Sequence, residues 1–524
     1  MKKNRLLPIL LLSVHLSVFQ GCTDWLNITP REQLSEEAAF STEQMVNSML
    51  NGIYRDLSWE ALYGQFLTQT FTEYLARYYF HAIGGHVFAP FNSWGLVAAF
   101  AYEDDAVRYR IQPIWNNAFQ LIMRLNVFIE NVERLEASVM RESRRNVILG
   151  EAYALRAFLH FDIYRLFGPV NMSDAHEGLP YNNSAEVRVH ERIPVSDFID
   201  LVLKDLETAL RLLESDPIRT TGVNDNHREI ILNAALSPED IFAEYYRNRR
   251  MNYFAVRALQ ARVLLHIGRH TEAENAAQAT LNAIRERNTF RWVSVAEARQ
   301  LENWIFHKEV LFGLNNIHLH TNWISLFTGR AAGSAHVVTR NMLLGNLFPE
   351  FTAATVADVV TDVRADQWRR IEIVGESAFL VPESYVSTRF RRPDHEPIVR
   401  DAFFHDLQPL IRMSELYLII VEAALHRGGG GVETAATTLN TLLTHRGYPV
   451  ELLLGFGGAT VTEEEVWARL ERNIYLEFVG EGQAFFFLKR NNKEMIFDGV
   501  QSGHVPMWRF RYVLPLPRSE TDIQ

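Results

Sequence analysis

The chain has 524 residues, of which 48% are apolar, with a formal charge of −11 and a single cysteine. That apolar share and length support one large core or several packed subdomains. The acidic balance argues against nucleic acid, which needs clustered Lys and Arg, and against simple adhesion to anionic lipid. One thiol excludes any disulfide within the chain, so stability must come from packing.

Residues 1–21 have the three-part form of an export signal. Lys2, Lys3 and Arg5 precede a mostly apolar run from Leu6 to Phe19, then Gln20 and small Gly21. The run is too short to span a bilayer, which needs about 20 residues. It shows neither the polar face nor the cap of a globular helix. Cys22 comes directly after, which predicts cleavage before it and lipid attachment at its thiol and freed amine. Several acyl chains together anchor firmly where one is marginal. Phe19 and Gln20 depart from the usual residues at such a cleavage site. The alternative is a secreted protein with a free thiol.

Helical periodicity dominates the remainder of the chain. Residues 42–56 place Met45, Met49 and Ile53 at helical spacing. Residues 115–136 predict a second helix, and 146–167 a third whose apolar residues almost encircle it. Gly168-Pro169 stops that helix, and 195–214 predict a fourth. Segments 253–284 and 416–443 each read as helix, break at Gly, then an Ala-rich helix. They predict tetratricopeptide-like hairpins, which stack to bury a continuous core. Residues 78–105, 288–345 and 372–400 read as long loops with short strands, where function often lies. The Gly428–Gly431 run lacks the Lys-Ser/Thr of a phosphate loop and reads as a turn.

No pattern predicts catalysis or a metal site. His266 and His270 lie four apart, but Gly268 between them marks a helix end, and no HExxH is present. His318 and His320 alternate as on a strand, without a carboxylate to complete a site. The Glu463–Glu465 run suits a helix N-terminus, where negative charge is favoured.

Several stretches carry a family resemblance. CTDWLNITPREQLSEEAAFSTEQMVNSMLNGIY, residues 22–54, resembles the mature start of the SusD/RagB family, nutrient-uptake lipoproteins of the Bacteroidota outer membrane. EAYALRAFLHFDIYRLFGPV (151–170), RMSELYLIIVEAAL (412–425), EFVGEGQAFFFLKR (477–490) and VLPLPRSE (513–520) appear in the family's order. Ala484 and Phe487 stand where the family often has Arg and Asp, which suggests a lost structural pair. The resemblance implies a mainly helical fold, with tetratricopeptide-like hairpins packed against a half of helices, loops and small β-hairpins. It implies one domain over 22–524: a helical part to about 290, a variable part from about 290 to 410, and a helical part from about 411.

The resemblance also implies a surface-exposed, lipid-anchored position on the outer membrane, with a SusC-like TonB-dependent β-barrel as partner. No enzyme activity, cofactor or metal is implied. A glycan is the expected ligand. Peptide binding on the same fold, and a ligand-free helical scaffold at the cell surface, are the alternatives. A sugar ring is held by an aromatic face with Asn, Asp or Arg at its hydroxyl rim. Two loops offer that mixture: Asn92, Trp94 and Tyr102 before the Trp115 helix, and Asn322, Trp323 and Arg330 further on.

Overall fold

The computed structural model describes residues 36–83, 93–223, 246–328, 334–349, 361–371, 384–392, 403–498 and 503–521. The export segment and Cys22 lie outside the described residues. Among those residues no helix is long and apolar enough to cross a membrane.

The architecture is mainly helical. Helix α1 (Glu43–Leu57) begins at Thr42, whose side chain accepts from the backbone of Met45. After the short helices α2 (Phe71–Leu75) and α3 (Ser93–Ala98) come the long α4 (Asp105–Glu133) and α5 (Glu142–Phe167). Helix α4 starts ten residues before the predicted boundary. Asp104 caps it, its Oδ1 accepting from Ala106 N at 2.8 Å, and Pro113 is carried inside the helix. Helix α5 is buried on nearly all sides, as its ring of apolar residues predicts. It packs on α4 and on α6 (Val195–Leu212).

The predicted hairpins form. Helix α7 (Tyr253–His266) pairs with α8 (His270–Arg287), and α8 packs on α10 (Met413–Arg427), which pairs with α11 (Gly431–His445). Alanine makes the approach close: Ala255, Ala258, Ala261, Ala273, Ala277, Ala423, Ala424 and Ala435 are all buried. At Gly431 a Cβ would lie 1.9 Å from the carbonyl oxygen of Ala424, so only glycine fits this turn. Helix α12 (Glu463–Glu477) opens with a capping box between Thr462 and Glu465, as the acidic run predicts.

The irregular stretches hold more structure than their composition predicts. Residues 288–345 contain β2 (Val310–Asn315), β3 (Ser334–Thr339) and, between them, α9 (Leu319–Phe327). His318 and His320 therefore sit at the start of a helix and not on a strand. The reason is the helical spacing of Leu319, Leu326 and Phe327, which face the core. Strand β1 (Phe80–Ile83) pairs antiparallel with β3, and β3 with β5 (Ser384–Ser387). Strand β4 (Trp368–Ile371) closes the sheet on the far side of β5. Strand β2 pairs separately with β6 (Leu407–Arg412).

The residues that carry the family resemblance converge on buried ion pairs. Tyr54 donates to Glu151 at 2.9 Å, and Glu151 also receives Arg247. Arg262 binds Glu415 through two bonds of 2.6 Å. Arg412 bridges Glu477 at 2.7 Å and Glu481 at 3.0 Å, while Arg446 joins Glu477 to Glu309. Burial alone would raise the Glu477 carboxyl, but Arg446, Arg412 and Arg364 hold it well below the usual range. These pairs tie sequence-distant helices into one arrangement. Breaking one would cost more than a surface pair, because a charge would be left buried and unpaired. Ala484 and Phe487 are both buried among apolar neighbours.

Candidate glycan-binding groove

The chain leaves α1 at Ser58 and doubles back through a π-helical turn, Glu60–Gly64. Leu62 breaks the helical dihedrals there, and a Cβ on Gly64 would meet the Ser58 carbonyl oxygen at 2.1 Å. Glycine is thus required for the turn to close. The turn holds Trp59 half-buried and Glu60 exposed beside the first turns of α4. Along α4, Val107, Ile111 and Ile114 face the core, so Tyr109 points outward and is 81% exposed. Pro113 has no N–H to give the carbonyl four residues earlier, that of Tyr109.

Between the turn and the helix lies a cavity of about 580 Å³. Trp59, Phe66 and Tyr109 give it aromatic surface; Glu60, Arg110, Asn117 and Gln120 give it polar groups. Its volume lies in the range of small-ligand sites, and apolar walls with a few polar groups are their usual composition. A second cavity of about 240 Å³ lies on the other side of Tyr109, where Arg108 and Gln112 face Pro515–Arg518. Arg518 pairs there with Asp105 at 3.2 Å.

Arg110 is fixed from behind. Its Nη2 donates to Ser93 Oγ at 2.6 Å, and its guanidinium lies 3.8 Å from the centroid of Trp94. Burial pushes the Arg110 pKa down, opposed by Glu60 and Tyr74. Trp94 itself is 9% exposed. It stacks on Tyr74 at 5.1 Å and meets Phe66 and His336 edge-on.

The other residues singled out from the sequence are placed as follows. Tyr102 is buried and donates to the Arg511 carbonyl at 2.6 Å. Asn322 donates to the carbonyl of Gly64 at 3.3 Å, fastening α9 to the turn that carries Trp59 and Glu60. Trp323 is half-buried, and its indole N–H donates to the Ser387 carbonyl at 2.7 Å. Phe327, one turn on, packs against His336, which also meets Trp94. The two predicted regions therefore converge on one aromatic cluster behind the groove. Asn92 and Arg330 lie outside the described residues. Trp59, Glu60, Tyr109 and Arg110 were not legible as site residues. Their one sequence signal is Pro113 interrupting a run that otherwise reads as helix.

His266 is buried against Phe161 and Tyr164, whereas His270 stacks on His426 at 4.1 Å. Among the described residues no group of three His, Cys, Asp or Glu could hold a metal ion. The groove sets flat apolar faces beside amide, carboxylate and guanidinium groups.

The fold is that of a helical-repeat protein with small antiparallel sheets. Residues 24–224 match the SusD-like family model described as "Starch-binding associating with outer membrane". SusD-like protein P38 of Formosa agariphila is 28% identical over 222 residues, which are 41% of this chain and 40% of that protein. SusD-like protein P2 of the same organism is 26% identical over 209 residues, 40% of this chain and 38% of that protein. The chain thus aligns with about two-fifths of the length of these curated relatives. A solved SusD superfamily protein from Bacteroides thetaiotaomicron superposes with a TM-score of 0.63 at 21% identity, covering 92% of this chain and 98% of that one. A solved SusD-like carbohydrate binding protein from Bacteroides vulgatus gives 0.63 at 16% identity, covering 92% and 96%. Residues 24–224 are thus similar in sequence to SusD-like proteins, and the fold over nine-tenths of the chain is that of the solved SusD superfamily structures.

Proposed function

We propose that this protein binds oligosaccharide at the outer membrane and passes it to a TonB-dependent β-barrel, held at the cell surface by lipid on Cys22. The observation that carries the reading is the groove of about 580 Å³ with Trp59, Phe66 and Tyr109 beside Glu60, Arg110, Asn117 and Gln120. Such a surface matches a pyranose ring, apolar on its CH faces and polar at its rim. The starch-binding description of the matching family and the carbohydrate-binding name of the Bacteroides vulgatus relative point the same way. Trp94 acts in this reading by holding Arg110, and Asn322 by holding the turn. Trp323 and Tyr102 act as packing residues, each donating to a backbone carbonyl. Binding is the protein's whole task, and no bond is made or broken in the ligand.

The test is a binding panel of oligosaccharides and peptides of matched length, read by calorimetry on the mature chain. Saturable binding of a glycan, with peptides inert, is the expected result. Peptide binding with glycans inert overturns the reading. If neither class binds and a β-barrel still co-purifies, the protein is a scaffold.

A further inference from the structure

Among the described residues, the fully buried arginines all have carboxylate partners: Arg165 has Asp162, Arg247 has Asp216 and Glu151, and Arg364, Arg412 and Arg446 share Glu477. Arg110 is half-buried. It lines the larger cavity, yet no carboxylate lies within ion-pair distance of it among the described residues. Its neighbours on α4 and at the chain's end are already engaged, Arg108 by Glu103 and Arg518 by Asp105. The Arg110 Nε is buried without a hydrogen-bond partner. A buried donor left unpaired costs free energy, more so on a charged group.

The guanidinium is nevertheless held in one place. Ser93 takes one Nη2 proton, and the Trp94 ring backs the plane at 3.8 Å. A fixed planar fork with unused donors suits an oxyanion, which accepts two parallel N–H bonds from arginine. Glu60 also faces the cavity, and the whole chain carries −11. Long-range attraction is therefore not what would bring an anion here, and recognition rests on the local fork.

Building on the glycan reading above, we propose that the ligand is an acidic glycan, whose carboxylate or sulfate ester is received by Arg110. The sugar ring lies on the aromatic surface of Trp59 and Tyr109, with the anionic substituent turned toward α4. The second cavity beyond Tyr109 takes the next unit of the chain.

The test compares charged glycans with their neutral counterparts on the full mature chain. The probes are trigalacturonate beside its carboxyl-reduced form, and a chondroitin sulfate tetrasaccharide beside its desulfated, carboxyl-reduced form. At least one acidic probe is expected to bind tenfold or more tighter than its neutral counterpart, and which one does so distinguishes carboxylate from sulfate. Arg110→Met is expected to erase that preference, and Arg110→Lys to keep only part of it. The wild-type comparison needs no variant to fold. Equal affinity for charged and neutral forms, or a preference that survives Arg110→Met, overturns the proposal. Neutral glycan bound through Trp59, with Arg110→Met silent, overturns this inference and leaves the glycan reading standing. Failure of all four probes and of the wider glycan panel overturns both.

Discussion

Glu73 on α2 offers a sharp test of how the groove's support is built. It is 1% exposed, and its Oε1 accepts from Gly482 N at 3.0 Å. Burial raises its carboxyl from 4.5 to about 8, against the backbone N–H groups of Gly482 and Gly480 that lower it. Between those two values the folded protein holds a proton that the unfolded chain has released. Stability therefore falls as pH rises from 4.5 to about 8, after which the buried charge is carried in full. The gap from 4.5 to about 8, at 1.36 kcal/mol per unit, amounts to about 5 kcal/mol. Glu73→Gln keeps the size and an acceptor for Gly482 but removes the titration. The assay is urea unfolding of both proteins by tryptophan fluorescence from pH 5 to 9. The variant should gain about 4 kcal/mol on the wild type between pH 5 and about 8, and hold that gain to pH 9. Parallel stability profiles for the two proteins would refute the argument.

Other expectations rest on single contacts. Gly64→Ala forces a Cβ against the Ser58 carbonyl oxygen 2.1 Å away, and should cost about 1–3 kcal/mol by denaturation and weaken ligand binding together. Glu477→Gln leaves Arg412 and Arg446 short of charge. It should destabilise at neutral pH by about 3–5 kcal/mol, and the loss should shrink at low pH. The sign is that of a depressed carboxyl: its stabilisation is present above pH 4.5 and disappears as pH falls through the lower folded value. Cys22→Ala should move the protein from the membrane to the soluble fraction. Unchanged membrane retention, with no lipid labelling of the parent, contradicts the anchor.

The fold was legible where the sequence repeats a physical pattern. The Ala-rich hairpins, the encircled helix 146–167 and the acidic N-terminus at Glu463 all come from spacing and capping. The motifs shared with the SusD/RagB family are legible for a different reason. Glu151, Arg412 and Glu477 are partners in buried ion pairs, and Tyr54 donates a buried hydrogen bond to Glu151, so a change in one partner leaves the other unsatisfied. They report the scaffold and say nothing of the ligand. The groove was less legible, because it is assembled from a turn after α1 and one face of α4, without a repeating pattern. Tyr109 is exposed only because Val107 and Ile111 point inward, and that depends on where the helix begins. The predicted start at 115 left Tyr109 in a loop. Trp94 and Trp323 were found by their aromatic character, but burial depth depends on Tyr74, Phe66 and Ser387, which are distant in sequence.

The central claim is that Trp59 and Tyr109 form the sugar-bearing surface of the groove. Calorimetry of the mature chain with the best-bound oligosaccharide from the panel tests it most directly. Trp59→Ala and Tyr109→Ala should each weaken binding by roughly 2- to 12-fold, the equivalent of ~0.5–1.5 kcal/mol for one aromatic contact, with the melting temperature little changed. Full affinity in the double variant would contradict the account.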